Sequence, residues 1–197
     1  MGRPGKLNLR TSVIGSNGKI SFTNYIAKNL AKKLANEAKI ASASINYMSK
    51  DDLYSKFIKR RKDIDSNGFF DVILHGSKSY VCVNLNGKKI FINHRTLSKL
   101  IISNIKGKKV SGIRLLSCNT GAKEDGFAQL LADKLHMPVL APTKYSFVKS
   151  NGVHFVAGSR DGGKNPDYSD LGEFKMFYPR RERKWYVINV NLKWYLK

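Results

Sequence analysis

Two reactive side chains stand at the ends of apolar runs. His75 and Gly76 close "FFDVILHG", and Cys118 closes "IRLLSC". A thiol becomes a useful nucleophile at neutral pH only beside a base or a cation. An imidazole supplies the base and can later hand its proton to a leaving amine. Gly76 has no side chain to keep a substrate carbonyl from its backbone N–H. That N–H and the N–H of Cys118 therefore form a candidate oxyanion hole. The turn Asn119-Thr120-Gly121 leads toward a helical pattern, whose positive end is expected near the thiolate.

Bringing His75 to Cys118 requires their strands to be neighbours. In an open parallel α/β sheet, chemistry gathers beyond the carboxyl ends of the strands, and sequential strands usually lie side by side. The pattern predicts a first strand at 6–15 and a lysine-studded amphipathic helix at 20–40, with Ile26, Leu30 and Leu34 on one face. A short strand at 43–48 follows, then a helix from about residue 50, capped by Ser49, with an acidic first turn and a basic last turn. Residues 68–77 read as the His75 strand. Residues 80–93 read as a hairpin around Asn86-Gly87, with Cys82 as a structural thiol within it.

Further along, a helix is expected at 95–107, the Cys118 strand at 110–117, a helix at 123–137 running through Gly126, and a strand at 138–143. Short strands at 152–159 and 174–179 and a last one at 185–196 complete the pattern. Residues 159–173 are the most loop-like stretch. The fold class is α/β: a mostly parallel sheet flanked by helices on both faces, with a β-rich flap and basic tail at 159–197. The 197 residues suit a single domain, with residues 1–6 as a linker-like start.

The chain carries 36 Lys and Arg against 14 Asp and Glu, a net charge of +22, which predicts attraction to polyanions. Two cysteines make no disulfide framework, and His75, His94, His136 and His154 have no metal-ligand spacing, so no metal is expected. No apolar run is long enough to span a membrane, and the first residues lack a signal-peptide pattern. Export then calls for a larger parent polypeptide or another delivery system.

An apolar block ending in His-Gly, followed by one ending in a small residue and Cys, resembles the caspase-like cysteine peptidases. Within that superfamily, the chain looks most like the autoprocessing protease domains of large bacterial toxins, the MARTX and clostridial glucosylating types. "GFAQLLADKL" and the basic β-rich tail carry the likeness further. "SCNTGAKEDGFA" also resembles C-terminal modules of Rhs and polymorphic toxins. The resemblance implies a caspase-like fold and a cysteine endopeptidase with His75 as acid–base and Cys118 as nucleophile. Gly76 and Cys118 would bind the oxyanion, and Pro142, Thr143 and Lys144 would line the substrate pocket.

The resemblance further implies activation by inositol hexakisphosphate at a basic surface drawn from Lys28, Lys32, Arg60, Arg61, Arg180, Arg181, Arg183 and Lys184. Its partners would be a protein substrate or the parent toxin polypeptide, with an immunity or delivery protein. It implies translocation by a bacterium and action in the target-cell cytosol. One departure is Leu74, where the toxin domains commonly carry Gly before the His. Two other readings stay open: a basic nuclease toxin acting on RNA or DNA, and a catalytically inactive anion-binding module.

Overall fold

A computed structural model describes residues 29–32, 34, 43–64 and 68–180. The chain divides into two units, Met1–Glu37 and Ala38–Lys197. In the first, residues 29–32 and 34 are helical and exposed. The strands expected at 6–15 and 185–196 lie outside the described residues, as do Lys28, Arg181, Arg183 and Lys184.

The second unit runs β1 (Ser44–Asn46), α1 (Leu53–Ile58), β2 (Phe69–Ile73), β3 (His75–Gly76), β4 (Val81–Leu85), β5 (Lys88–Ile92), α2 (His94–Ile105) and β6 (Gly112–Leu116). It continues through α3 (Phe127–Leu135), β7 (Val139–Pro142), β8 (Tyr145–Val148), β9 (His154–Gly158), β10 (Asp167–Leu171) and β11 (Phe174–Phe177). The central sheet has the order β1-β2-β6-β7-β11. Its first four strands are parallel, and β11 joins β7 antiparallel at the edge. Two antiparallel sheets accompany it, β3-β4-β5 and β10-β9-β8.

Side-chain alternation assigns the two faces of the central sheet. Phe70, Val72 and Leu74 from the β2 region, with Ile113 and Leu115 of β6, join one apolar cluster with Leu97 and Ile101 of α2 and Phe127, Leu131 and Leu135 of α3. Ile73 and Leu116 face the other way and meet Ile58 of α1, with Tyr54 and Val148 packed against them. The sheet is therefore covered on both sides, as a mostly parallel sheet must be.

That second face also carries charge. Asp71 of β2 and Arg114 of β6 are directly opposite in register, and Asp71 is fully buried. Arg114 donates Nε to Asp71 Oδ1 at 2.6 Å and Nη2 to Asp71 Oδ2 at 2.8 Å. Arg61, just after α1, donates Nε to Asp71 Oδ2 at 3.0 Å, and its fully buried Nη2 has no partner. Asp63 takes Arg114 Nη1 at 2.6 Å, and His154 Nε2 lies 3.6 Å from the same carboxylate.

Local chemistry moves several expected boundaries. The cap of α1 is Asp52 rather than Ser49: its Oδ1 accepts the N–H groups of Tyr54 (2.8 Å) and Ser55 (3.3 Å). The helix is consequently shorter than the charge pattern suggested. Gly126 caps α3 instead of lying within it, so residues 119–126 are turns. The Asn86-Gly87 turn holds both residues at positive φ (53° and 81°), which suits a tight hairpin. The supposed loop at 159–173 contains β10, and β8 went unforeseen.

Candidate active site

The roots of the site are the paired strands β2 and β6, in register from Phe69↔Gly112 to Ile73↔Leu116. Leu74 N–H still reaches Leu116 O at 3.3 Å. The chain then leaves the central sheet, and His75-Gly76 form β3, pairing with Val81-Cys82 of β4. Beyond β6, Ser117 and Cys118 begin a turn closed by the buried Ser117 Oγ···Thr120 Oγ1 contact at 2.8 Å. Asn119 completes it in the left-handed region (φ 56°), which Asn tolerates better than most residues.

Gly76 packs directly onto this turn. A methyl group built there would lie 2.8 Å from Cys118 O, 2.8 Å from Thr120 Cγ2 and 3.0 Å from Ser117 Cβ. Only a glycine lets β3 approach the Cys118 turn so closely. Among the described residues, the Cys118 N–H has no hydrogen-bond acceptor. The neighbouring Asn119 and Gly121 N–H groups are taken by Lys144 O (2.7 Å) and Pro142 O (2.9 Å).

His75 is exposed, and its Nε2 lies 3.0 Å from Asp52 Oδ2. Asp52 thus divides its two oxygens between the α1 cap and the His75 ring. The Cys118 thiol is half-buried and contacts Ser146 O at 3.9 Å. Ser146 Oγ in turn bonds Tyr54 OH at 2.7 Å. Burial pushes the Cys118 pKa above the ordinary thiol value; a backbone hydrogen bond with Ser146 pulls it down, and the Asp52 charge pushes it up. The resting group is a neutral thiol. The expected helix end beside it is displaced, because α3 begins only at Phe127 and its Ala128 N–H is taken by Thr120 O at 3.1 Å.

Pro142, Thr143 and Lys144 follow β7 and flank the turn. Pro142 and Lys144 hold it through the carbonyl bonds just given. Thr143 exchanges hydrogen bonds with Glu173, donating N–H to its carbonyl at 2.9 Å and accepting its N–H at 3.0 Å. The Lys144 ammonium is paired with Asp170.

The expected polyanion contacts that fall among the described residues are held in different ways. Arg61 is a core residue bound to Asp71, a correction to its place in a surface cluster. Arg180 is engaged by Asp133 (2.6 Å) and Asp125 (2.7 Å). Arg60 is exposed, with Nη1 donating to Ser150 O at 2.8 Å, and Lys32 is exposed on its own unit. No group of three or more His, Cys, Asp and Glu side chains converges as a metal-ligand set among the described residues. No helix among them is long and apolar enough to cross a membrane.

Two features of the site escaped the sequence. Asp52 read as one of the acids of a helical first turn, and its contact with His75 spans 23 positions. A row of rings on β8, β9 and β10 was also hidden by separation. Phe147 stacks on Phe155 and Phe155 on Tyr168, each at 5.7 Å, with Lys149 Nζ 5.7 Å from the Phe155 centroid.

A family model described as a domain of unknown function, DUF8616, matches residues 43–156, more than half of the chain. The match spans β1 through part of β9 and includes both His75 and Cys118. No curated protein and no solved structure matches the chain.

Proposed function

For a chain that belongs to the DUF8616 family, whose function is unassigned, we propose a cysteine endopeptidase with His75 as acid–base and Cys118 as nucleophile. The observation that carries the reading is the close packing of Gly76 on the Ser117–Thr120 turn, at the ends of two paired parallel strands. In the proposed reaction, Cys118 Sγ bonds to the substrate carbonyl carbon while its proton passes to His75. The oxyanion is received by the N–H groups of Gly76 and Cys118. Collapse breaks the C–N bond as His75 protonates the leaving amine, and water then hydrolyses the thioester with His75 as base.

The resting geometry asks for a rearrangement before this chemistry. The thiol is neutral and directed at Ser146 O, while His75 is held by Asp52. A switchable enzyme fits that arrangement, and activation by a polyanion such as inositol hexakisphosphate remains part of the proposal. Arg61 and Arg180 are withdrawn from its contacts because Asp71, Asp125 and Asp133 already hold them. The caspase-like character of the sheet, delivery as a bacterial toxin or effector, and action on a protein in the target-cell cytosol belong to the same proposal.

A second reading, nucleic-acid binding or cleavage, is favoured by the ring row Phe147–Phe155–Tyr168, since stacked aromatics beside cations bind unpaired bases. Asp161, Asp167, Asp170 and Glu173 share that stretch of chain, and Asp167 and Asp170 already engage Arg160 and Lys144, which leaves fewer free cations for phosphate and ranks this reading second.

The test is cleavage of a diverse peptide library by the full chain, with and without inositol hexakisphosphate, read by mass spectrometry. Cys118→Ala and His75→Ala are each expected to abolish cleavage with far-UV circular dichroism unchanged. Cleavage surviving in Cys118→Ala, or absent from the wild type in both conditions, overturns the peptidase reading. RNA degradation untouched by Cys118→Ala supports the second.

A further inference from the structure

Strand β5 ends its sheet: in the order β3-β4-β5 it has β4 on one side and no strand on the other among the described residues. An edge leaves a row of N–H and C=O groups without strand partners, and proteins usually blunt it by shortness, bulges or charge. Here the five-residue strand pairs without a bulge from Val81↔Ile92 to Leu85↔Lys88. Its blunting is partial. Lys88 and Lys89 occupy one end, while Ile90 is 42% exposed and Phe91 66%. Tyr80, 49% exposed, meets the Phe91 ring edge-on at 5.3 Å.

The charge around this edge has one sign. From Val72 through Lys123 the sequence contains no Asp and no Glu. The exposed cations Lys78, Lys88, Lys89, Arg95 and Lys99 form no ion pair among the described residues. A second copy of the chain adding at β5 would bring its own lysines against these, and the chain's basic tail is disfavoured on the same ground. A nucleic acid or an anionic lipid surface satisfies the charge but cannot fill a strand's alternating donors and acceptors.

We propose that β5 is a docking edge for an extended, acidic polypeptide segment, which adds to the sheet as a fourth strand. Main-chain hydrogen bonds would supply affinity, and alternate side chains specificity. Neighbouring strand residues face opposite ways, so carboxylates of the added strand meet Lys88 on one face while apolar residues cover Phe91, beside Lys89, on the other. His75, Cys82 and Phe91 are successive cross-strand partners, so the docked strand extends the sheet that carries His75. With strands spaced about 4.8 Å apart, it lies about 14 Å from β3. The inference does not depend on the peptidase reading.

The probe is a fluorescein-labelled, end-capped peptide of alternating Glu and Val, titrated into the full chain by fluorescence anisotropy. A copy N-methylated at every second residue, a single-stranded oligonucleotide of equal charge, and phosphatidylserine vesicles serve as comparisons. Saturable binding is expected, weakened tenfold or more by Lys88→Glu with Lys89→Glu and by Phe91→Ser, and lost with the N-methylated copy. Hydrogen exchange of residues 88–92 should slow in the complex. All altered side chains are exposed, and circular dichroism checks the fold. The proposal is overturned by binding that ignores these variants, or by an N-methylated peptide that binds equally. Oligonucleotide or vesicle binding in place of the peptide, or a homodimer dissociated by Phe91→Ser, also overturns it.

Discussion

Replacing Asp71 with Asn tests how β2 and β6 are held in register, four residues upstream of His75 and Cys118 respectively. The wild-type carboxylate accepts three guanidinium hydrogen bonds, at 2.6, 2.8 and 3.0 Å, in a fully buried setting. Burial works against the Arg114 cation, but Asp71 and Asp63 outweigh it and raise its pKa above the ordinary guanidinium value. In Asp71→Asn, Arg114 keeps Asp63, while Arg61 loses its one recorded carboxylate. Leaving a buried charge unpaired costs about 3–5 kcal/mol. At a urea slope of about 2 kcal/mol per M, the unfolding midpoint should fall by about 1.5–2.5 M. Adding Arg61→Met removes the orphaned cation and leaves the Arg114–Asp63 pair, so the double variant should recover roughly 1–3 kcal/mol of coupling energy. Equilibrium unfolding followed by circular dichroism measures all three variants. A loss below about 1 kcal/mol for Asp71→Asn, or a coupling near zero, refutes the view that this cluster locks the two strands.

Asp52→Asn keeps a side-chain oxygen for the α1 cap, so stability should change by less than about 0.5 kcal/mol. Its loss of the carboxylate that holds His75 at rest should raise peptide cleavage in the absence of the polyanion, read as kcat/KM. Unchanged kcat/KM and pH profile would remove Asp52 from the site. Gly76→Ala forces a methyl group against Cys118 O and Thr120 Cγ2, an overpacking of about 1–3 kcal/mol. A thermal melt equal to wild type with full activity contradicts the tight β3 approach. Stability should also fall on mild acidification. Burial lowers the His154 pKa below its ordinary 6.5, with Asp63 opposing and Arg114 reinforcing the shift. The unfolded chain then binds the proton first as pH drops below 6.5, and the folded state loses ground. Urea midpoints at pH 7.5 and 5.5 should differ less in His154→Gln; an equal difference clears His154 of the effect.

How much the sequence revealed depended on the range of the interactions involved. The β2 and β6 strands were legible because each carries a continuous apolar run that a doubly covered sheet requires. The β4–β5 hairpin was legible because Asn86-Gly87 encodes its turn locally. What failed was mostly long-range. Arg61 read as part of a surface cluster because "KRRK" gives no sign that its third residue turns inward to Asp71. The strand β10 read as loop because Asp167, Ser169 and Asp170 are poor strand formers, yet it lies against β9 under the constraint of Gly158, over which Asp170 packs. Asp52 was misassigned because a helical first turn accounts for an acid without any partner in space.

The first turn of α1 connects these pieces. Asp52 holds His75 through one oxygen and starts the helix with the other. Tyr54, two residues later, bonds the hydroxyl of Ser146, whose carbonyl faces the Cys118 thiol. The acid–base candidate and the nucleophile candidate are thus each held on a partner tied to the same short helix, and neither is held on the other. Six residues make a helix too short to be stable by itself, so its position rests on packing of Ile58 against Ile73 and Leu116. Those two residues lie on β2 and β6 beside the Asp71–Arg114 pair. Any displacement of α1 would therefore reach His75 and Cys118 together, so in the proposed switchable enzyme this helix is the element on which an effector would act.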